Sequence, residues 1–180
     1  MADVCKEYGA GLYLLAEEAR LEKEFYEQLV QIKTILEENP SYSKLLSSPS
    51  LAFAEKKILI EQAFDGRAHE YIVNFMLLMC ERGYFSFMTG CIDSFKKKYF
   101  ESFNISEGVV ISAYPLNEDE KERLRKALET SMGEGKRLIL EYSVDESLLG
   151  GFFVEVDGKV IDSTLKTRLS GLKEHLSKPI

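Results

Sequence analysis

Few residues in this sequence have the types and spacing for chemistry. His69 and His175 stand apart from any Cys or carboxylate at ligand spacing, so each reads as a surface helix residue rather than a metal ligand. Cys5, Cys80 and Cys91 are widely spaced and form no CxxC pair. With no signal peptide before them, they read as the reduced thiols of a cytosolic protein. Asp162 precedes an apolar-periodic run with no second acid or base nearby in sequence. That makes it a helix cap rather than a general acid or base. Gly150-Gly151 is followed by a strand pattern, not a helix start, so it reads as a bend and not a phosphate loop. No G-x-S-x-G, Walker or H-E-x-x-H pattern occurs,. What remains is the chemistry of apolar faces: a binding or structural protein, with no cofactor and no metal.

The elements that carry those faces fall into two halves. Val4, Tyr8, Leu12 and Leu15 make one helical stripe, crossed by Gly9 and Gly11,. Each glycine costs a helix roughly 1 kcal/mol against alanine, tolerable where a neighbouring backbone comes close. Leu21, Phe25, Leu29, Ile32 and Leu36 make a second stripe, ended by Asn39-Pro40,. Pro40 starts a short helix through Leu46, and Ser50 reads as the N-cap of a helix from Leu51 to Phe64,. The helix over 69–82 has two adjoining apolar rows, Tyr71, Phe75, Leu78 and Ile72, Met76, Met79, wider than an ordinary surface helix needs,. A helix from Phe85 to Phe103 completes a bundle of five or six,.

At Gly108 the period changes. Residues 109–114 alternate as a strand,. Asn117 caps a charged helix with Leu124, Ala127 and Leu128 inward, and Leu138, Leu140, Tyr142 and Val144 mark a second strand. Phe152 to Val156 and Lys159 to Ile161 flank Asp157-Gly158, a two-residue type I′ turn,. Leu165, Leu169, Leu172 and Leu176 form a last helical stripe. The fold expected is therefore α+β: an N-terminal all-α six-helix bundle (residues 1–105) followed by a small C-terminal α+β domain (residues 106–180) of order β-α-β-β-β-α.

Charge excludes one class of partner. Residues 1–105 carry 12 Lys/Arg against 16 Asp/Glu, and residues 106–180 carry 11 against 14. Neither half attracts a phosphate backbone, and Lys96-Lys97-Lys98 reads as a solvated helix face. The longest apolar run, Phe75 to Cys80, is far short of the roughly 20 residues of a membrane span,.

With these residues laid out, the chain resembles the delta subunit family of bacterial F-type ATP synthases, related to the mitochondrial oligomycin-sensitivity-conferring protein. The family's Asp-x-x-Leu-hydrophobic-Gly-Gly stretch appears as Asp145 to Gly151. Its closing Ile-Asp-Gly-Ser appears as Ile161-Asp162-Ser163-Thr164, with Ser163 for the usual glycine and Thr164 for the usual serine. The first-helix pattern Tyr-Ala-x-Ala-Leu-Phe appears as Tyr8 to Tyr13, both alanines replaced by Gly9 and Gly11. Asn74-Phe75 also matches, whereas the usual arginine after the fifth helix is absent and Tyr84 stands near its place.

The resemblance implies a non-catalytic stator subunit at the cytoplasmic face of the cell membrane, touching the membrane only through its complex. It implies N-terminal segments of alpha subunits gripped by the first and fifth helices, and b subunits held by the C-terminal domain. On this chain the expected alpha-facing groove is Tyr8, Leu12, Leu15, Ile72, Phe75, Met76 and Met79, some of which must also serve the core. The expected b-facing residues are Leu165, Leu169, Leu172 and Leu176. A cytosolic RNA-binding or other interaction protein built on a helical bundle is the alternative, which the negative charge of both halves opposes.

Overall fold

A computed structural model describes residues 2–133 and 135–165. The chain divides into two compact units, residues 1–101 and 102–180, and the architecture is α+β.

The first unit is helical: α1 (Ala2–Ala19), α2 (Glu22–Glu38), α3 (Pro40–Ser47), α4 (Phe53–Phe64), α5 (Glu70–Glu81), a 3-10 turn (Phe85–Phe87) and α6 (Met88–Phe103). The stripe of α2 is buried as its spacing predicts, at Phe25, Leu29, Ile32 and Leu36. Ile60 and Phe64 of α4, Ile72 and Met76 of α5, and Ile92 and Phe95 of α6 are withdrawn from water with them. Aromatic pairs lock the elements: Tyr13 lies edge-on to Phe95 at 5.6 Å, and Tyr26 stacks on Tyr99 at 4.7 Å, each adding about 1 kcal/mol to its burial.

Gly9 and Gly11 do not interrupt α1. Gly9 is buried, and a Cβ there would sit 2.5 Å from the carbonyl oxygen of Cys91 and 2.6 Å from Cβ of Ser94. The missing side chain lets α1 rest on the backbone of α6, and that contact offsets the lost helix propensity.

Three boundaries differ from the sequence reading. α4 starts two residues late, because Ala52 rather than Ser50 occupies the cap position. The Glu55 carboxylate accepts the Ala52 N–H at 3.2 Å, which is the half of a capping box that needs no cap side chain. Ser50 instead spends its hydroxyl on Ser48. His69 is the N-cap of α5 rather than a surface helix residue: its Nδ1 accepts from Tyr71 N–H at 3.2 Å, and its ring packs 5.2 Å from that of Phe25. The sixth helix begins only after the 3-10 turn, at Met88.

The second unit is a sheet with a helix on one face. Its described elements are β1 (Ile105–Ser112), α7 (Glu118–Met132), β2 (Arg137–Val144), a 3-10 turn (Glu146–Leu148), β3 (Phe152–Val156) and β4 (Lys159–Asp162). The strand order is β2-β1-β3-β4. β1 runs parallel to β2 and antiparallel to β3, and β3-β4 is a hairpin. β1 begins three residues before the expected Gly108, because Ile105 pairs with Arg137 and extends the ladder.

Val110, Leu138, Val154 and Val156 on one face meet Leu128 of α7, with Leu116, Leu124 and Met132 around them. Ala127, expected inward, is exposed: a single stripe of α7 faces the sheet, and Ala127 lies on its solvent side. Asn117 caps α7 as its sequence predicts, accepting from Glu120 N–H while the Glu120 carboxylate accepts from Asn117 N–H, both at 2.9 Å,.

Candidate functional site

A groove of about 550 Å3 opens in the helical unit between α1 and α5. Its α1 wall is Tyr8, Gly11, Leu12 and Leu15, one face at helical spacing, with Glu7 at the margin. Its α5 wall is Tyr71, Phe75 and Leu78, again one face, with Asn74 the lone amide among them. Leu15, Tyr71 and Leu78 remain between 37% and 38% exposed. Three large apolar side chains left open side by side on facing helices make an unsatisfied apolar surface.

Tyr8 sets one end of the groove. Its ring lies 6.4 Å from that of Phe75 and edge-on to Tyr84 at 5.9 Å. Tyr84 therefore supplies an aromatic edge just beyond the end of α5.

Gly11 shapes the floor. A Cβ there would meet nothing within 4 Å, so this glycine holds open space. The two glycines of α1 thus do opposite things: Gly9 admits α6, and Gly11 widens the groove.

The groove unites Tyr8, Leu12, Leu15 and Phe75 of the expected set. Ile72, Met76 and Met79 do not line it: they are 0% exposed, turned into the core with Cys80. The physical reason is the doubled apolar face of α5. One row had to satisfy the bundle, and the row Ile72, Met76, Met79 does so against α4, leaving Tyr71, Phe75 and Leu78 open. The expected set drew Phe75 from the open row and Ile72, Met76 and Met79 from the row that serves the core. Tyr71, Asn74 and Leu78 are the residues it missed, although the first row was visible in the periodicity.

No described residues form a cluster of three or more His, Cys, Asp or Glu able to hold a metal. Burial pushes the thiol of Cys80 up to about 11 and that of Cys91 up to about 12. Neither is a nucleophile near neutrality, since the thiolate is the reactive form.

In the second unit the conspicuous glycines and acids are structural. Asp157 and Gly158 have φ of 50° and 73°, the two positive values of a type I′ turn,. Ser106 Oγ donates to the Asp157 carboxylate at 2.7 Å, and Lys136 Nζ donates to it at 3.0 Å. Those contacts, the serine first, hold this carboxyl below its ordinary range.

The Asp145 carboxylate accepts from Ser147 N–H at 2.9 Å and starts the bend. Gly150 and Gly151 complete it at φ 146° and 84°, and a Cβ on Gly151 would collide with the carbonyl of Ser163. Asp162 accepts from Thr164 N–H at 2.9 Å, an Asx turn, and the helix it was expected to cap lies outside the described residues beyond Leu165. Leu165 is half exposed and its N–H donates to the Gly150 carbonyl at 3.0 Å. Leu169, Leu172, Leu176 and His175 lie outside the described residues.

A family model described as "ATP synthase delta (OSCP) subunit" matches residues 4–176. The chain belongs to that family. The delta subunit of Lactobacillus gasseri is 32% identical over 174 residues, covering 97% of this chain and 94% of that one. That of Lachnoclostridium phytofermentans is 32% identical over 176 residues, covering 97% and 96%. A chain in the cryo-EM structure of the Toxoplasma gondii mitochondrial ATP synthase hexamer shares the fold with a TM-score of 0.62 at 18% identity, over 98% of both chains.

Membership makes this a non-catalytic subunit of an F-type ATP synthase, in the stator that joins the catalytic head to the peripheral stalk. The RNA-binding alternative is displaced. Among the described residues no helix is long and apolar enough to cross a membrane.

Proposed function

We propose that residues 1–105 act as a six-helix bundle that grips N-terminal segments of alpha subunits, and that residues 106–180 hold the ends of the b subunits. On this reading the chain works at the cytoplasmic face of the cell membrane, with membrane contact only through the complex. It keeps the head from turning with the central shaft, so that proton flow drives ATP formation.

The observation that carries the reading is the α1/α5 groove. It has apolar walls, with Leu15 open on one side and Tyr71 and Leu78 on the other. An amphipathic helix placing i, i+3, i+4 and i+7 anchors into such a groove is a common mode of recognition. The alpha-facing set becomes Tyr8, Leu12, Leu15 and Phe75, joined by Tyr71, Asn74 and Leu78. Ile72, Met76 and Met79 support it from within the core. A charge at Met79 therefore tests stability rather than docking. For the b-facing role, Leu165 is half exposed at the start of the leucine stripe.

The test is titration of an alpha-subunit N-terminal peptide into the wild-type protein and into Leu15→Glu and Leu78→Glu. Both side chains are open, so the fold persists. Losing one buried leucine anchor removes about 1.5–3 kcal/mol, roughly tenfold or more in affinity. Unchanged affinity in both variants rejects the groove.

A further inference from the structure

The sheet of the second unit has a second face that α7 does not cover. Register fixes its members. Glu141, Val109, Glu155 and Val160 lie side by side across β2, β1, β3 and β4, and Ser143, Ile111 and Phe153 form most of the next row. The outer face of a sheet covered on one side is ordinarily polar. Here Val109, Ile139 and Val160 stand between 41% and 55% exposed on it, and Ile111 and Phe153 are half-buried beside them.

Carboxylates surround this apolar centre: Glu107 lies on β1 itself, Asp162 lies opposite Phe153 on β4, and Glu141 and Glu155 flank Val109. Glu141 and Glu155 are exposed on the strands either side of β1, and among the described residues neither has an ion-pair partner. They lie two strand spacings apart, about 9.6 Å. That is close to the diameter of an α-helix, about 10 Å with its side chains.

We infer that the open face of this sheet is a docking surface for an amphipathic helix whose apolar stripe lies along β1 over Val109 and Ile111, with Lys or Arg on each flank facing Glu141 and Glu155. The acidic frame excludes nucleic acid and anionic lipid as occupants, since both would meet like charge. In the assembly the occupant is the stalk helix of a b subunit. This rests on the stalk-holding reading of residues 106–180 and names the surface that does the holding.

The experiment uses the full chain and a C-terminal b-subunit fragment. Wild-type protein binds the fragment with an affinity that falls as salt rises, because exposed pairs are screened. The double variant Glu141→Lys, Glu155→Lys binds it about tenfold or more weakly, attraction at two sites having become repulsion, while still binding alpha peptide like wild type. Exchanging the fragment's flanking Lys or Arg for Glu restores binding to that variant. If the wild type binds the fragment and the double variant binds it equally well, the surface is wrong and the stalk reading stands. If the wild type does not bind the fragment at all, both fall. Tighter binding by a chain ending at Leu165 would make the chain's own last residues the occupant, and dimerisation through this face would make it a second copy; either overturns the inference.

Discussion

At the scale of single residues, the pair of glycines in α1 separates packing from recognition. Gly9→Ala places a methyl against the Cys91 carbonyl and Ser94, and overpacking of that kind destabilises by about 1–3 kcal/mol. Gly11→Ala meets nothing and gains up to about 1 kcal/mol of helix propensity. Thermal denaturation therefore shows Gly9→Ala melting below wild type and Gly11→Ala at or above it; the reverse order contradicts the assigned roles. The family's usual alanine at both positions made the glycines look equivalent in sequence. What distinguishes them is a neighbour 82 residues away at Cys91, which no local pattern reveals.

The buried thiols give a second residue-scale expectation. With Cys80 and Cys91 raised to about 11 and about 12 by burial, iodoacetamide at pH 8 leaves both unmodified in the native protein and modifies both after denaturation. Rapid native labelling of either contradicts their burial.

Asp157 gives a third. Its carboxyl is depressed in the folded state, so the stability it contributes is present above the ordinary unfolded value near pH 4, and is lost as pH falls through the lower folded value,. Between pH 5 and 8 it contributes no pH dependence. Ser106→Ala removes the leading hydrogen bond and moves the Asp157 titration upward by NMR; an unmoved titration assigns the shift elsewhere.

At the scale of elements, periodicity was a good guide where an element has one apolar face and a poor one where it has two. The stripe of α2, the Asn117 cap and the Asp157-Gly158 turn were all readable from local residue types, because apolar spacing, local hydrogen bonds and φ requirements create them. α5 was not, since both its rows are apolar and only the packing partners decide which turns inward. The same ambiguity hid the open face of the sheet. Val109 and Ile111 on one side of β1, with Val110 on the other, read simply as a strand. Only the cross-strand register shows that three neighbours continue the apolar patch outward and that Glu141 and Glu155 frame it. The Asp145 to Gly151 stretch, the most recognisable in the sequence, is a bend whose glycines exist because side chains would strike Ser163 and Leu165. Its recognisability reflects backbone geometry rather than chemistry.

At the scale of the whole molecule, the proposed function gives the two units separate surfaces for separate partners, and the mechanical role follows from holding both at once. Each surface has an apolar centre with polar groups around it: Asn74 and Glu7 in the groove, Glu107, Glu141, Glu155 and Asp162 on the sheet. That combination suits durable attachment to preformed helices rather than turnover of a substrate. The most direct measurement is co-elution of this protein with an alpha-subunit N-terminal peptide and a b-subunit fragment in size-exclusion chromatography, compared with Leu15→Glu, Leu78→Glu. The account predicts a complex of all three for the wild type, and for the double variant a complex with the b fragment alone. A double variant that still carries the alpha peptide, or a wild type that binds either partner only in the absence of the other, contradicts it.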